Sequence, residues 1–233
     1  MMDRLHLFIL KNITKFPKLK KNIKKLKEEK DNNLSRLTYD KLKVMANDIL
    51  EMANIKPVIL GTENLPKETC VIYANHQSLL DPILLLLLNK ELGFIVKKEL
   101  KDNKIVNDLV QITDSLYLDR EDTKEGLKTI LEAIKNIKDG KSYCIFPEGT
   151  RANSNILSFK AGSFKLSTKT NTPICPVAII GAREAINTNN MNLIQVKIEI
   201  LPPIYPHEYR NMNTTQIAEM VEKKIEEKIA EYT

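Results

Sequence analysis

The sequence has few cysteines and no long apolar run, and each shortage excludes a class of protein. Its three cysteines, at positions 70, 144 and 175, form no Cys-x-x-Cys pair and leave one over from any disulfide. This usage indicates a reducing compartment and argues against a disulfide or zinc framework. No apolar stretch reaches the roughly 18 residues of an ordinary transmembrane helix. The apolar part of the N-terminal segment is also too short for a signal peptide.

Positive charge is concentrated at one end of the chain. The formal net charge is +6, and residues 1–30 alone hold ten Lys and Arg against three acids. Leu19, Ile23 and Leu26 keep spacings of four and three while lysines occupy most other positions, which is the pattern of an interfacial membrane helix. Residues 2–16 also have helical apolar spacing.

This pattern predicts how the N-terminal part is organised. Residues 1–56 are expected to form a basic amphipathic helical segment that docks on an anionic membrane surface through residues 1–30. A packed helical hairpin with solvated lysines is the alternative.

After the N-terminal segment, short apolar runs alternate with helical patterns. The runs are rich in β-branched and aromatic residues and therefore predict strands. They are PVIL, CVIYA, GFIV, SLYL, YCIF, PICPVAII and IQVKIEIL. Helices are predicted over residues 38–53, 122–139 and 214–232. The alternation predicts that residues 57–233 form an α/β domain with a mixed, largely parallel sheet flanked by helices.

Polar clusters follow three of the predicted strands. NHQSLLD comes after CVIYA, DR after SLYL, and PEGTR after YCIF. In open α/β sheets, binding sites lie beyond the carboxyl ends of the strands. The three clusters together therefore indicate a site at one edge of the sheet.

His76 and Asp81, in the first cluster, are five residues apart. On a regular helix this spacing is about 140° around the axis, so the two side chains would point apart. They can meet only if His76 lies in the loop and Asp81 in the first helical turn, and Ser78-x-x-Asp81 resembles a capping box that would permit this. Asp81 would then accept the imidazole Nδ1–H and leave Nε2 as a base. Alternatively, Asp81 and Pro82 only start the helix.

Cationic side chains follow the other strands. Arg120 and Arg151 together would suit an oxyanion such as phosphate, because guanidinium groups bind it bidentately. As an alternative, each forms a local ion pair with a neighbouring acid. Lys97, after GFIV, adds charge to the same rim. Cys144, inside an apolar strand, is predicted to be a core residue rather than a nucleophile.

Taken together, the clusters resemble the motifs of the glycerolipid acyltransferase family. NHQSLLD is similar to its H-x4-D motif, LYLDR to its second motif, FPEGTR to its third and PICPVAI to its fourth. FIVKKEL and FKAGSFKL look like further family segments, and the resemblance covers residues 57–205. Within that family, the sequence most resembles the bacterial-type 1-acylglycerol-3-phosphate acyltransferases. Members often carry a glycine a few residues before the Asp-Arg pair, where this chain has Thr113-Asp114-Ser115.

The resemblance implies roles for individual residues. His76 would be the general base and Asp81 its partner. The residues implied to bind the glycerol phosphate are Arg120, Glu148, Gly149, Thr150 and Arg151, assisted by Lys97. No metal or redox cofactor is implied.

The resemblance also implies a reaction and its partners. A fatty acyl group would pass from a thioester, acyl-CoA or acyl carrier protein, to the free sn-2 hydroxyl of lysophosphatidate, giving phosphatidate. The expected location is the cytoplasmic face of the membrane, as a peripheral or monotopic protein. The alternatives are acyl transfer to another lysolipid, and a basic non-catalytic protein that binds membranes or nucleic acid. A nucleic-acid partner is not expected, because no recognised motif accompanies the charge and aromatic residues are only 6%.

Overall fold

The computed structural model describes residues 16–31, 35–152, 155–188 and 192–232. Its seven strands form one sheet in the order β1-β7-β6-β2-β5-β3-β4. The strands are β1 (Ile55–Leu60), β2 (Val71–Ala74), β3 (Leu92–Lys97), β4 (Leu116–Leu118), β5 (Ser142–Ile145), β6 (Ile174–Ile180) and β7 (Ile194–Ile200). The five neighbouring strands β6, β2, β5, β3 and β4 are parallel to one another. Strand β7 is antiparallel to β6 and parallel to β1. The prediction of a mixed, largely parallel sheet is confirmed.

Helices flank the sheet, as the alternating pattern predicts. Those in the described residues are α1 (Phe16–Asp31), α2 (Ser35–Met52), α3 (Asp81–Leu85), α4 (Lys104–Ile112), α5 (Thr123–Lys138), α6 (Lys165–Thr170), α7 (Ala182–Asn187), α8 (Pro206–Tyr209) and α9 (Thr214–Ala230). No helix in this part of the chain is both long and apolar enough to cross a membrane.

Two apolar cores lie on opposite faces of the sheet, because successive side chains of a strand point to opposite sides. In β2, Ile72 and Ala74 face one core, while Val71 and Tyr73 face the other. The first core includes side chains of α1, α2 and α4, and the second includes side chains of α5, α6 and α9. With both faces covered, the carboxyl edge of the parallel strands remains for a site.

The apolar side of α1 faces the protein. Ile23 and Leu26 are 2% and 5% exposed and belong to the first core, whereas Lys21 and Lys25 are exposed. The interpretation of this stripe as a membrane-inserting face is therefore wrong for Ile23 and Leu26, because the core keeps their side chains from lipid. Residues 1–15, part of which the sequence predicts as helix, lie outside the described residues. Docking through residues 1–30 stays a prediction.

The pattern over residues 122–139 forms α5, although only part of its apolar stripe is buried. Asp122 caps the helix by accepting the N–H groups of the second and third residues after it. Gly140, with φ of 97°, follows the end of the helix. Ile134 packs on the second core, but Leu127 and Leu131 are exposed. The stripe is thus wider than the face that the sheet covers.

Candidate active site

His76 and Asp81 meet in the segment between β2 and α3. His76 Nδ1 lies 2.7 Å from Asp81 Oδ2. The side chain of Asp81 is fully buried, whereas that of His76 is 20% exposed. Since an ionised carboxylate only accepts hydrogen bonds, Nδ1 carries the proton and Nε2 is left as an acceptor. Within the described part of the chain, no hydrogen bond engages Nε2.

The carboxylate of Asp81 also organises the turn that precedes it. Oδ2 accepts the N–H groups of Gln77 and Ser78 at 2.7 and 2.8 Å. Oδ1 accepts the hydroxyl of Ser78 at 3.0 Å. Four donors, including the imidazole, therefore converge on one buried carboxylate. These hydrogen bonds hold the loop, and with it the imidazole of His76, in one orientation.

The predicted capping-box contact of Ser78 with Asp81 is present, since Asp81 Oδ2 accepts the N–H of Ser78, but Ser78 is not the residue at which the helix starts. The first hydrogen bond of α3 runs from Leu84 N–H to the carbonyl of Leu80, so Leu80 is the N-cap residue and Asp81 the first residue of the helix. Ser78 lies too early in the chain to cap this helix. Its hydroxyl oxygen instead accepts the N–H of Leu80 at 3.0 Å, within the turn.

Two side chains that the sequence analysis missed support the histidine segment. The ring of Phe146 stacks on the imidazole of His76, with centroids 4.2 Å apart. The buried side-chain amide of Asn75 exchanges two hydrogen bonds with the backbone of Ile179, at 2.9 and 2.7 Å. Asn75 could have been singled out, because a polar residue at the end of a buried strand needs partners. Nothing in the sequence indicates the stacking of Phe146.

Glu148 joins the first and third motifs through the backbone. It is 3% exposed. Oε1 accepts the N–H of His76 at 2.6 Å, and Oε2 accepts the N–H of Leu157 at 2.8 Å. Ala152 N–H donates to the carbonyl of His76 at 2.9 Å. Glu148 thus positions the loop of His76, and its predicted contact with substrate stays a prediction.

The burial of Glu148 predicts a pH-dependent stability. Burial raises the pKa of its carboxyl above the ordinary 4.5, against the opposing effect of the two N–H donors. The folded state therefore holds this proton more tightly than the unfolded state. Its contribution to the free energy of unfolding is present below the ordinary value and falls as the pH rises through the raised value. Replacing Glu148 with Gln should remove this decline, as measured by urea unfolding across pH values.

The exposed Glu63 provides the matched control for this experiment. Glu63→Gln should retain the wild-type pH slope. An unchanged slope in Glu148→Gln would show that the decline arises from another group.

Cationic side chains gather around Gly149. Arg120 Nη1 donates to the carbonyl of Gly149. Gly149 has φ of +78°, and a Cβ atom on it would lie 2.9 Å from Arg120 Nη1 and 2.8 Å from Lys160 Nζ. Only glycine suits both the backbone conformation and this close approach. Arg151 is exposed and directly precedes Ala152, whose N–H binds the His76 carbonyl.

We call Arg120 and Lys160, which approach Gly149, together with Arg151, two residues farther along the chain, the cationic cluster. It lies beside the histidine loop, since the backbone of residues 148–152 contacts both. Lys160 belongs to the segment FKAGSFKL, but no role was predicted for it, because its approach to Gly149 is a contact between loops. Thr150, predicted to bind substrate, is exposed between Gly149 and Arg151.

Lys97 is exposed at the carboxyl end of β3, and the contact to the second motif is made by its neighbour. Lys98 Nζ lies 2.7 Å from Asp119 Oδ2, and this hydrogen bond lowers the pKa of the Asp119 carboxyl. The other oxygen of Asp119 accepts two backbone N–H groups of the following turn, both at 3.0 Å. Asp119 thereby shapes the turn that carries Arg120.

The departure from the family pattern before the second motif has a structural explanation. Asp114 has φ of 48°, a left-handed conformation that glycine adopts readily and that aspartate tolerates better than most residues. Asp114 thus supplies the backbone conformation that a glycine would allow.

Cys144 is a core residue, as expected. It is fully buried in the first core, and burial raises the pKa of its thiol well above the ordinary value. The thiolate needed by a cysteine nucleophile is therefore disfavoured.

Comparison with known proteins agrees with this geometry. The solved structure of the 1-acyl-sn-glycerophosphate (LPA) acyltransferase PlsC from Thermotoga maritima is similar, with a TM-score of 0.74 and 26% identity, over 87% of this chain and 82% of that one. A probable 1-acyl-sn-glycerol-3-phosphate acyltransferase of Mycoplasma pneumoniae is 28% identical over 87% of this chain and 82% of its own. A 1-acyl-sn-glycerol-3-phosphate acyltransferase of Borreliella burgdorferi is 29% identical, over 82% and 80%.

The family assignment rests on the part of the chain that carries the motifs. The sequence model of the family described as Acyltransferase matches residues 56–180. That range runs from the second residue of β1 to the end of β6 and includes the His76–Asp81 pair and the cationic cluster. The chain belongs to the acyltransferase family.

Proposed function

We propose that this protein is a 1-acylglycerol-3-phosphate O-acyltransferase. It moves a fatty acyl group from a thioester donor to the free sn-2 hydroxyl of 1-acylglycerol 3-phosphate and forms phosphatidate. The observation that carries the proposal is the 2.7 Å contact of His76 Nδ1 with the buried Asp81, beside a cluster of cations suited to phosphate. The relatives from Mycoplasma pneumoniae and Borreliella burgdorferi are named as a probable 1-acyl-sn-glycerol-3-phosphate acyltransferase and as a 1-acyl-sn-glycerol-3-phosphate acyltransferase, which supports the same reaction.

His76 acts as the general base. An alcohol is a poor nucleophile until a base removes its proton as the new bond forms. Nε2 of His76 accepts that proton, while Asp81 holds the Nδ1–H tautomer and stabilises the imidazolium that results. The hydroxyl oxygen attacks the thioester carbonyl, the C–S bond breaks, and the thiolate leaves.

No covalent acyl-enzyme is needed in this scheme. A thiolate is a much better leaving group than an alkoxide, because a thiol has a pKa of about 8.5. One base is therefore sufficient, and Ser78 serves the turn rather than attacking the donor. Its hydroxyl is already engaged with Asp81 and Leu80.

The cationic cluster positions the acceptor. Arg120 and Arg151 bind the phosphate, since guanidinium groups recognise phosphate oxygens, and Lys160 and Lys97 add positive charge. Fixing the phosphate orients the free hydroxyl toward the base, which lowers the entropic cost of the reaction.

We also propose that the protein works as a peripheral or monotopic protein on the cytoplasmic face of the membrane. The acceptor and product are membrane lipids, and α1 exposes Lys21 and Lys25. The basic N-terminal residues 1–30 assist through attraction to anionic lipids, which is about 1 kcal/mol for each lysine near the surface.

Product analysis with purified protein tests the function directly. Lysophosphatidate is supplied with acyl-CoA in one arm and with acyl carrier protein that carries a thioester-linked acyl chain in another, and phosphatidate is measured. Formation of phosphatidate supports the proposal and identifies the donor. Acylation of a different lysolipid, without phosphatidate, would instead assign another acceptor.

Arg151→Ala is expected to raise KM for lysophosphatidate by on the order of tenfold or more, because a charge-assisted phosphate contact is lost. Turnover of a phosphate-free acceptor should change little. Steady-state kinetics with both acceptors gives the comparison. Arg210→Ala is the matched control, because Arg210 directly follows α8. This helix begins two residues after Ile204, which pairs with Ile174, the first residue of β6, at the opposite edge of the sheet. An equal loss with both acceptors would refute the phosphate-binding role.

A further inference from the structure

We propose that the carboxyl edge of the sheet is the surface that rests on the membrane, with Leu79, Leu100 and Leu157 entering its apolar layer. The proposal rests on the proposed function, because a lipid acceptor must reach the site from a bilayer. It assigns membrane contact to loops of the catalytic domain, in addition to the basic N-terminal segment.

The three leucines follow three adjacent parallel strands. β2, β5 and β3 are neighbours in the sheet, so their carboxyl ends lie side by side. The segments after them carry Leu79, Leu157 and Leu100, whose exposed fractions are 53%, 40% and 42%. β7 runs the other way and begins at the same edge, directly after Leu193, which is 62% exposed. Single exposed apolar residues are common on protein surfaces, but here four exposed leucines lie on loops at one edge of the sheet.

Hydrogen bonds tie these loops to the site. Leu157 N–H binds Oε2 of Glu148, whose other oxygen holds His76. Leu79 lies within the turn between His76 and Asp81. Leu79 and Leu157 therefore belong to the segments that hold His76 in place.

The loop that carries Leu100 connects to the cationic cluster. Leu100 follows Lys98, which bonds Asp119, the residue before Arg120. A membrane laid on these loops would thus present its headgroups to the base and to the cations together.

The charge of the two loops that carry Leu100 and Leu157 favours an anionic lipid surface as the partner. Residues 97–104 carry four lysines against two acids, and residues 150–160 carry Arg151 and Lys160 with no acid. Four acids against two cations lie in residues 119–125, which follow β4 at the same edge and contain no leucine. Leucines interleaved with lysine and arginine match an interface in which apolar side chains enter the acyl layer while cations meet phosphates. This complementarity commits the surface to an anionic bilayer.

The N-terminal helices point to the same edge. α2 leads through a short turn into β1, whose first residue lies at the carboxyl edge of the parallel strands. α1 and α2 pack together, joined by three residues and by the Lys41–Glu29 ion pair of 2.8 Å, so they run antiparallel. The start of α1, with the exposed Lys18 and Lys21, therefore lies toward this edge.

Tryptophan probes test the orientation, since the chain has no tryptophan of its own. Leu100→Trp and Leu157→Trp are compared with Val44→Trp and Leu131→Trp, which replace exposed residues on the outer sides of α2 and α5. With vesicles of phosphatidylglycerol and phosphatidylcholine, only the first two variants should shift their emission to shorter wavelength. Only these should be quenched by brominated acyl chains. A shift and quenching in Val44→Trp or Leu131→Trp instead, or no difference between the two pairs of variants, would overturn the proposal.

Replacing Leu100 with a charged residue tests the proposal through vesicle binding and enzymatic activity. Leu100→Asp should weaken vesicle binding about tenfold, the effect expected from losing one partly inserted leucine, and Leu131→Asp should not. Activity on vesicle-borne lysophosphatidate should fall in parallel, whereas activity on a monomeric short-chain acceptor should not. Equal losses on both acceptor forms would place Leu100 in catalysis and overturn its docking role. If wild-type protein forms no phosphatidate from either acceptor, the proposed function fails, while the tryptophan probes still decide the orientation.

Discussion

Replacing His76 with alanine is expected to lower kcat on the order of 10²–10⁴-fold, the contribution usual for a general base. The side chain is partly exposed, and its removal leaves the Asp81 carboxylate with three donors from the turn. The fold should therefore survive, and the loss should appear in turnover rather than in acceptor binding. Phosphatidate formation at saturating lysophosphatidate measures it.

His207→Ala is the matched control for this variant. His207 is exposed on α8, near the Ile204–Ile174 bridge at the edge opposite the site. It should retain wild-type turnover. Wild-type kcat in His76→Ala, with folding verified by circular dichroism, would mean that another group removes the proton.

Replacing Asp81 should affect both turnover and stability, and two substitutions separate the effects. Asp81→Asn keeps the size of the side chain and one acceptor oxygen. Its amide N–H₂ can donate to Nδ1 of His76, which leaves the proton on Nε2, where it prevents the ring from acting as a base. A loss in kcat on the order of 10³-fold or more is expected from this wrong tautomer.

Asp81→Ala should lose similar activity but more stability. Both substitutions take the Oδ2 acceptor from the N–H groups of Gln77 and Ser78, and each unsatisfied buried donor costs about 1–3 kcal/mol. Alanine in addition removes the Oδ1 acceptor of the Ser78 hydroxyl and the packing of the buried side chain. Denaturant unfolding measures this difference between the two variants. Ser78→Ala removes the hydroxyl's bonds with Asp81 Oδ1 and with Leu80 N–H and should cost less than either, because the Asp81 carboxylate keeps its other three donors. Wild-type turnover in Asp81→Asn would remove Asp81 from the mechanism.

Local rules in the sequence predicted the placement of the site. The 140° that separates His76 and Asp81 on a helix required a loop histidine, and the structure places it in a loop. Three polar clusters after strands indicated one edge, because parallel strands bring their carboxyl ends together. The family resemblance then assigned chemistry to that edge.

Contacts between distant segments were beyond the reach of such rules. The spacing of Ile23 and Leu26 shows that α1 has an apolar side, but bilayer and protein core satisfy that side equally well. Ser78 and Leu80 are both compatible with starting a helix, and the first backbone hydrogen bond decides between them. Lys160 reaches Gly149 through the packing of separate loops, which no spacing in the sequence encodes.

The carboxylate of Glu148 has a consequence for regiochemistry. One oxygen is bound to the backbone of His76, and the next residue, Gly149, binds the guanidinium of Arg120. In the proposed function, the base His76 and the phosphate-binding Arg120 are thereby linked through two consecutive residues, Glu148 and Gly149, and this link sets the distance between them. In the proposed reaction, an acceptor hydroxyl that lies the right number of bonds from the phosphate meets the imidazole. A hydroxyl one carbon farther along the glycerol does not meet the imidazole.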